Sequence, residues 1–84
     1  MKYSKKVRDG AALICAIAAS TPSLANAYRS TKIELGASVS HESLGLALSA
    51  WVYARDVLME RFGMSDTYQV DAEAEALIRT GWTP

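Results

Sequence analysis

The feature of this sequence that most restricts its fold is a long proline-free segment, residues 41–62, which as a helix would be apolar around most of its circumference. Ser40 precedes the segment as a favourable N-cap, and Gly63 follows it as a favourable C-cap. A helix that is apolar on most sides lies either in the centre of a core or under a partner molecule. We therefore expect this helix to organise the fold.

Two apolar stripes run along the predicted helix at the three- and four-residue spacing of a helix face. The first stripe consists of Leu44, Leu48, Trp51, Arg55, Leu58 and Phe62. The second stripe consists of Leu46, Ala50, Tyr53 and Val57. If the rest of the chain covers one side of the helix, little remains in so short a chain to cover the second stripe. The alternative is that the other segments wrap the helix completely.

Two helices are predicted before this segment, separated by a proline. The first runs over about residues 5–20 and stops before Pro22, because the residue that precedes a proline is displaced from the helical conformation. The second runs over residues 22–35, with Thr21 as its N-cap and Gly36 after its last residue.

One more helix is predicted after it. This helix begins at Asp71 as its N-cap and ends at residue 79 or 80 before Gly81, after which Trp82 is expected to fold back. Alanine is abundant, and no run of alternating β-branched residues is present. The sequence therefore predicts an all-α fold, a compact bundle of about four helices around a long central third helix, in one domain over residues 1–84.

The first 27 residues have two interpretations. Basic residues precede an apolar run over residues 10–19, and Ala25-Asn26-Ala27 follows, which is the layout of a secretory signal peptide cleaved after Ala27. The same residues predict a buried amphipathic helix, because their apolar side chains repeat at helical spacing. Asp9 at the edge of the run favours the buried helix. We expect a cytoplasmic protein, with export as the alternative, and the run is too short to span a membrane.

Residues with catalytic or ligand-binding chemistry are few and scattered. Cys15, the single cysteine, is expected to be a small buried apolar residue, and His41, the single histidine, to lie at the start of the long helix. Asp71, Glu73 and Glu75 alternate along the last helix and so diverge around its axis. We expect no catalytic residues, no cofactor and no metal site, and therefore a protein that is not an enzyme.

Nucleic-acid binding is an alternative function. The second and third helices can be drawn as a helix-turn-helix, but residues 41–44 offer no Arg, Lys, Asn or Gln to base edges. The formal net charge is zero, which gives no general attraction to phosphate. Contacts to the nucleic-acid backbone would come from the N-terminal basic residues Lys2, Lys5, Lys6 and Arg8.

A protein–protein interface is the function that the apolar helix favours. Contiguous exposed apolar patches usually mark interfaces, and aromatic residues are common anchors within them. The predicted interface consists of Leu46, Ala50, Trp51, Tyr53, Val57 and Trp82. The expected partner is another protein or a second copy of this chain, because symmetric dimers are the commonest small oligomers.

The C-terminal segment VDAEAEALIRTGW, residues 70–82, resembles the C-termini of small helical proteins, mostly uncharacterised, that bacteria and phages encode. The resemblance covers this segment alone. It implies a cytoplasmic accessory or regulatory protein that acts by contact, and it transfers no catalytic residue.

Overall fold

A computed structural model describes residues 3–63 and 67–84 of the chain. It contains four α-helices, α1 (Lys5–Ala18), α2 (Leu24–Leu35), α3 (His41–Phe62) and α4 (Thr67–Arg79), and a single turn of 3₁₀ helix over Gly36–Ser38. No strand occurs within these ranges. The predicted all-α bundle is confirmed, and α3 with its 22 residues is the longest helix.

Serine side chains cap three of the helices at their N-termini. The Oγ atom of Ser4 accepts a hydrogen bond from the backbone N–H of Val7, and the Oγ atom of Ser40 accepts one from Ser43 N–H, each at 3.3 Å. These bonds satisfy N–H groups that have no partner inside the helix. The N-cap predicted for α3 is therefore confirmed.

The N-terminus of α2 differs from the prediction. The helix begins at Leu24 rather than at Pro22, and Ser23 is its N-cap, accepting from Asn26 N–H at 3.2 Å. The hydroxyl of Thr21, the predicted cap, instead donates to the carbonyl of Ile17 at 3.2 Å. Because this bond runs back to the last turn of α1, Thr21 is part of the turn that follows α1 and does not cap α2.

Glycines end the two later helices as predicted. Gly63 has φ 64° and ψ 21°, the left-handed conformation that a residue with a Cβ adopts at a cost. Gly81, at φ 96°, donates its N–H to the carbonyl of Ile78 at 3.3 Å, and Trp82 donates to Leu77 at 3.0 Å. This pair of bonds closes the last turn of α4 and directs Trp82 back over the helices.

The start of α4 also differs from the prediction. The helix begins at Thr67, so Asp71 is not its N-cap but lies inside it, 95% buried. The extra turn adds Val70 to a buried face that continues with Ala74 and Ile78 at four-residue spacing. Burial of that face favours a helix that extends upstream of Asp71, the residue predicted to begin it.

Packing between the helices makes one compact body. Helix α1 packs against α2, α3 and α4, and α3 packs mainly against α1 and α4. The radius of gyration is 11.9 Å, and about 12 Å is expected for a single domain of this length. The shortest extent is 15 Å, enough for two helix layers about 10 Å apart. Each helix therefore keeps one face on the surface.

Small residues line the contact between α1 and α3. The buried face of α3 consists of Ser43, Leu46, Ala47, Ala50 and Ala54. Opposite it, a Cβ built onto Gly10 of α1 would lie 2.8 Å from Ser43 Oγ. The Ser43 hydroxyl itself donates to the backbone carbonyl of Val7 across the contact, at 3.0 Å. Small side chains thus allow the two backbones to approach closely. Dispersion contacts between the closely packed helices then take the place of contacts between larger side chains.

Candidate interaction surface

Two residues of the predicted interface are buried in the protein's own core. Leu46 is 1% exposed and Ala50 is fully buried, so neither is available to a partner, and the prediction is wrong for both. The prediction assumed that the other helices cover one side of α3 and leave the second stripe, with Leu46 and Ala50, uncovered. The structure selects the face of α3 that is rich in alanine and serine, because that face permits the closest approach of α1 and α4.

The exposed face of α3 carries a different set of residues, which we call the outer stripe. The outer stripe consists of Leu48, Val52, Arg55, Met59 and Phe62. Its members follow one another at intervals of four, three, four and three residues, the heptad spacing of a coiled-coil seam. It extends about 21 Å along the helix. Leu48 is 50% exposed, Met59 is 52% exposed and Phe62 is 64% exposed.

Gly45 continues the outer stripe towards the N-terminus of α3. It lies three residues before Leu48 and is exposed. A Cβ added to it would meet no atom within 4 Å. Among the described residues of one molecule nothing explains a glycine here, where it costs the helix about 1 kcal/mol relative to alanine.

The remaining residues of the predicted interface lie outside the outer stripe. The Tyr53 ring packs against Trp82, with 5.2 Å between ring centroids, so Trp82 does fold back onto α3. Tyr53 itself remains about half exposed, whereas Val57 and Trp82 are half-buried. Trp51, also half-buried, lies under the guanidinium of Arg55, whose Cζ is 5.4 Å from the indole centroid. Trp51 thus borders the outer stripe, with Leu48 and Arg55 as its neighbours on the helix surface, whereas Tyr53 does not adjoin it.

A cavity of about 280 Å³ lies beside Trp51. The end of α1, the connection to α2, and the faces of α3 and α4 line it, and the Asp71 side chain is part of this lining. The cavity opens to solvent beside the exposed residues Pro22, Ser23 and Leu48. The Asp71 carboxyl is buried, which raises its pKa, while a hydrogen bond from the Trp51 side chain opposes that shift. The cavity therefore contains a carboxyl group within mainly apolar walls.

Cys15 is the other buried titratable group of this region. It is fully buried, and its Sγ lies 4.0 Å from the carbonyl of Ala47. Burial raises the pKa of Cys15 to about 12, with smaller contributions from the negative charges of Asp71 and Glu75. At neutral pH the side chain is a thiol rather than a nucleophilic thiolate, in keeping with the buried apolar residue expected from the sequence.

His41 lies at the first position of α3, as the sequence predicted, and its side chain is exposed. Its ring is 5.8 Å from that of Tyr28, and the Lys32 ammonium lies 4.8 Å from the same Tyr28 ring. The Tyr28 hydroxyl is buried without a hydrogen-bond partner among the described residues. A tilted contact between the two rings and a cation–π contact from Lys32 therefore join these three side chains.

The basic residues proposed to contact nucleic acid differ in their exposure and in their partners. Arg8 is 93% buried, and its guanidinium donates to the carbonyls of Ile78 and Trp82, at the C-terminal end of α4. It stabilises the negative end of that helix and is not available to phosphate. Lys5 pairs with Asp9 at 2.6 Å, Lys6 is exposed, and Lys2 lies outside the described residues.

The acidic residues of α4 also separate. Glu75 accepts from Arg79 at 2.8 Å, the four-residue pair expected on a helix surface. Glu73 is exposed, and Asp71 points into the protein. Within residues 3–63 and 67–84, no three His, Cys, Asp or Glu side chains are grouped so that they could hold a metal ion. In the same ranges no helix has the length and apolar character needed to cross a membrane.

No family model, curated protein or solved structure matches this chain. The resemblance of residues 70–82 to bacterial and phage accessory proteins therefore stays a prediction.

The sequence did contain a signal for the outer stripe. Leu48, Phe62 and Arg55 belong to the first predicted stripe, which was expected to face the core, and Val52 and Met59 complete their heptad spacing. No comparable signal in the sequence indicated that the Asp71 carboxyl lies in the cavity. An aspartate near the start of a predicted helix is typical of an exposed cap.

Proposed function

We propose that this protein is a non-catalytic interaction module that pairs with a second copy of itself through the outer stripe of α3. The observation that carries the proposal is the heptad-spaced row of exposed apolar side chains, Leu48, Val52, Met59 and Phe62, in a chain of zero formal net charge. Covering one large apolar side chain contributes about 1.5–3 kcal/mol. Two copies carry no net charge to oppose their association.

The order of residues along the stripe favours an antiparallel pair. If a two-fold axis passes between Val52 and Arg55, Leu48 of each copy lies opposite Met59 of the other, and Gly45 lies opposite Phe62. The largest side chain of the stripe then meets the position without a side chain. This arrangement explains the glycine at position 45. The described residues of the monomer do not explain it, because an added Cβ meets none of their atoms within 4 Å.

Arg55 is compatible with this pairing. Its guanidinium lies over the Trp51 ring of the same chain, so the charge is directed to the edge of the stripe. The aliphatic part of the side chain remains to cover Val52 of the second copy. Asp56, 3.5 Å from the same guanidinium, reduces repulsion between the two arginines.

The oligomeric state measured by light scattering and sedimentation equilibrium tests the proposal. We expect the wild type to dimerise and Met59→Glu to be monomeric, because the new carboxylate would be buried without a partner. The matched control is Ile33→Glu, which makes the same kind of change at an 85% exposed apolar residue of α2. A monomeric wild type, or equal dimerisation by both variants, would contradict the proposal.

Gly45→Leu tests the antiparallel arrangement itself. In the monomer this change is unhindered and improves helix propensity, so the monomer should become more stable. In the dimer the new side chain meets Phe62 and should weaken association. Adding Phe62→Ala should restore association by making room. If Gly45→Leu strengthened both folding and association, or weakened both, that result would contradict the antiparallel arrangement.

A cytoplasmic location and an accessory or regulatory role belong to the same proposal. In the structure, residues 5–18 form α1, which packs against the other three helices, so cleavage after Ala27 would remove part of the core. The N-terminal sequence of the protein purified from its native host distinguishes the two cases. A chain beginning at Tyr28 would establish export, whereas an intact α1 supports the cytoplasmic assignment.

The nucleic-acid alternative has less support, because Arg8 is enclosed and Lys5 is paired with Asp9. Salt-dependent retention of the protein on DNA would favour it over the interaction module. Equal elution from DNA and from an uncharged matrix is expected for the module.

A further inference from the structure

The cavity beside Trp51 has apolar walls and one ionisable group. Its apolar lining includes Ala18 from α1, Pro22 and Leu24 from the start of α2, and Leu48 from α3. Trp51 and Asp71 complete this part of the lining. Its volume of about 280 Å³ is near the lower end of the range of small-molecule sites, about 300–1,000 Å³. Such a site suits a ligand with a compact hydrocarbon body.

Asp71 is the group that selects the ligand. A carboxylate offers about four acceptor positions to donors, and the neutral indole of Trp51 is the donor that opposes the rise in the Asp71 pKa. No ion pair within the described part of the chain includes Asp71. Buried carboxylates are ordinarily paired with a cation or with several donors. The buried Asp71 carboxylate would therefore be stabilised by a positively charged donor.

The other polar side chains in the described lining are two hydroxyls, each of which already makes a hydrogen bond. The Thr21 hydroxyl donates to the carbonyl of Ile17, and Ser23 Oγ accepts from the N–H of Asn26. Neither provides a second negative charge. A divalent metal ion prefers several oxygen ligands around it, which one carboxylate does not supply. An ammonium ion needs one strong acceptor and leaves its hydrocarbon part to the walls.

We propose that this cavity binds a small organic ammonium ion, whose charge pairs with Asp71 and whose hydrocarbon part packs against Leu24, Leu48 and Trp51. This site does not depend on the pairing of two copies, although Leu48 borders both surfaces. Its tests therefore use Asp71 and Leu24, which lie outside the outer stripe.

The Trp51 indole N–H signal in NMR spectra reports directly on the cavity. At neutral pH we expect phenethylamine to shift this signal in a saturable manner, and phenylacetate to leave it unchanged. Phenethyl alcohol, which keeps the ring and lacks the charge, should bind at least tenfold more weakly than the amine. Equal binding of the alcohol, or no response to any ammonium probe, would overturn the proposal.

A free amine and a lysine side chain carry the same chemistry, so a capped lysine is titrated as a second probe. A response to phenethylamine identifies a free amine as the source. A response to capped lysine alone assigns the site to a basic side chain of another protein. Either response supports an ammonium site.

Two variants test the assigned residues. Asp71→Asn should weaken phenethylamine binding at least tenfold, whereas the matched change Glu73→Gln, at an exposed position of the same helix, should have no effect. Leu24→Trp should block binding by filling the cavity while Asp71 is retained. Unchanged binding by folded Asp71→Asn protein would overturn the assignment, and circular dichroism establishes that each variant is folded.

Discussion

Gly10→Ala tests the close contact between α1 and α3. The same substitution at Gly45 of α3 is a matched control, because both glycines lie inside helices and each gains about 1 kcal/mol of helix propensity as alanine. They differ in their surroundings. At Gly10 the new Cβ would lie 2.8 Å from Ser43 Oγ and 3.3 Å from Ser43 Cβ, whereas at Gly45 it would meet no atom within 4 Å.

The magnitude follows from what the new methyl group displaces. Ser43 is 1% exposed and donates to the Val7 carbonyl at 3.0 Å, so its side chain has no free space to enter. Overpacking of a dense core costs about 1–3 kcal/mol, and loss of the hydrogen bond costs about 1 kcal/mol. After the gain in propensity, Gly10→Ala should destabilise the fold by about 1–3 kcal/mol. Gly45→Ala should stabilise it by about 1 kcal/mol.

Urea unfolding followed by far-ultraviolet circular dichroism measures both effects, at a protein concentration where the wild type is monomeric by light scattering. Because the propensity gain is common to both variants, the difference between them reports the contact with Ser43 alone. Adding Ser43→Ala removes the nearest atom, so Gly10→Ala should be less costly in that background. Equal stabilisation by Gly10→Ala and Gly45→Ala would refute the close contact.

Four further predictions concern buried polar groups. Arg8→Met keeps an apolar stem but removes the donors to Ile78 and Trp82, so the free energy of unfolding should fall by about 1.5–3 kcal/mol in urea titrations; an unchanged value would contradict the capping role. Tyr28→Phe removes a buried hydroxyl that lacks a partner among the described residues, and thermal unfolding should show a gain of about 1 kcal/mol. Cys15, whose pKa burial raises to about 12, should resist iodoacetamide in the native protein and react once urea unfolds it; rapid native alkylation would disprove its burial. Burial raises the pKa of Asp71 in the folded state, so the folded protein binds more protons between the ordinary pKa and the raised one, and stability falls as pH rises through that window. Asp71→Asn should therefore be more stable than the wild type at neutral pH, with the difference shrinking as pH falls towards the ordinary aspartate pKa; a difference independent of pH would contradict this linkage.

Local signals predicted where the later helices end and where α1 and α3 begin. Ser40 caps α3, Gly63 and Gly81 adopt positive φ, and Glu75 pairs with Arg79, because each of these features depends on residues within about one or two helix turns. The predicted start of α2 was wrong because one residue could bond to either of two neighbouring helices. Thr21 was expected to begin α2, but its hydroxyl bonds to the end of α1, and Ser23 caps α2 instead.

The sequence by itself determined four helices, their approximate ends and an excess of apolar surface on the longest one. Only the tertiary structure decided which face of α3 is buried, and with it that Leu46 and Ala50 are enclosed while Met59 and Phe62 face outward. Helix formation depends on hydrogen bonds and sterics between near neighbours, whereas the choice of face depends on how closely distant helices approach. Here that approach requires Gly10 to lie over Ser43, a match of small residues from two helices that no local pattern contains.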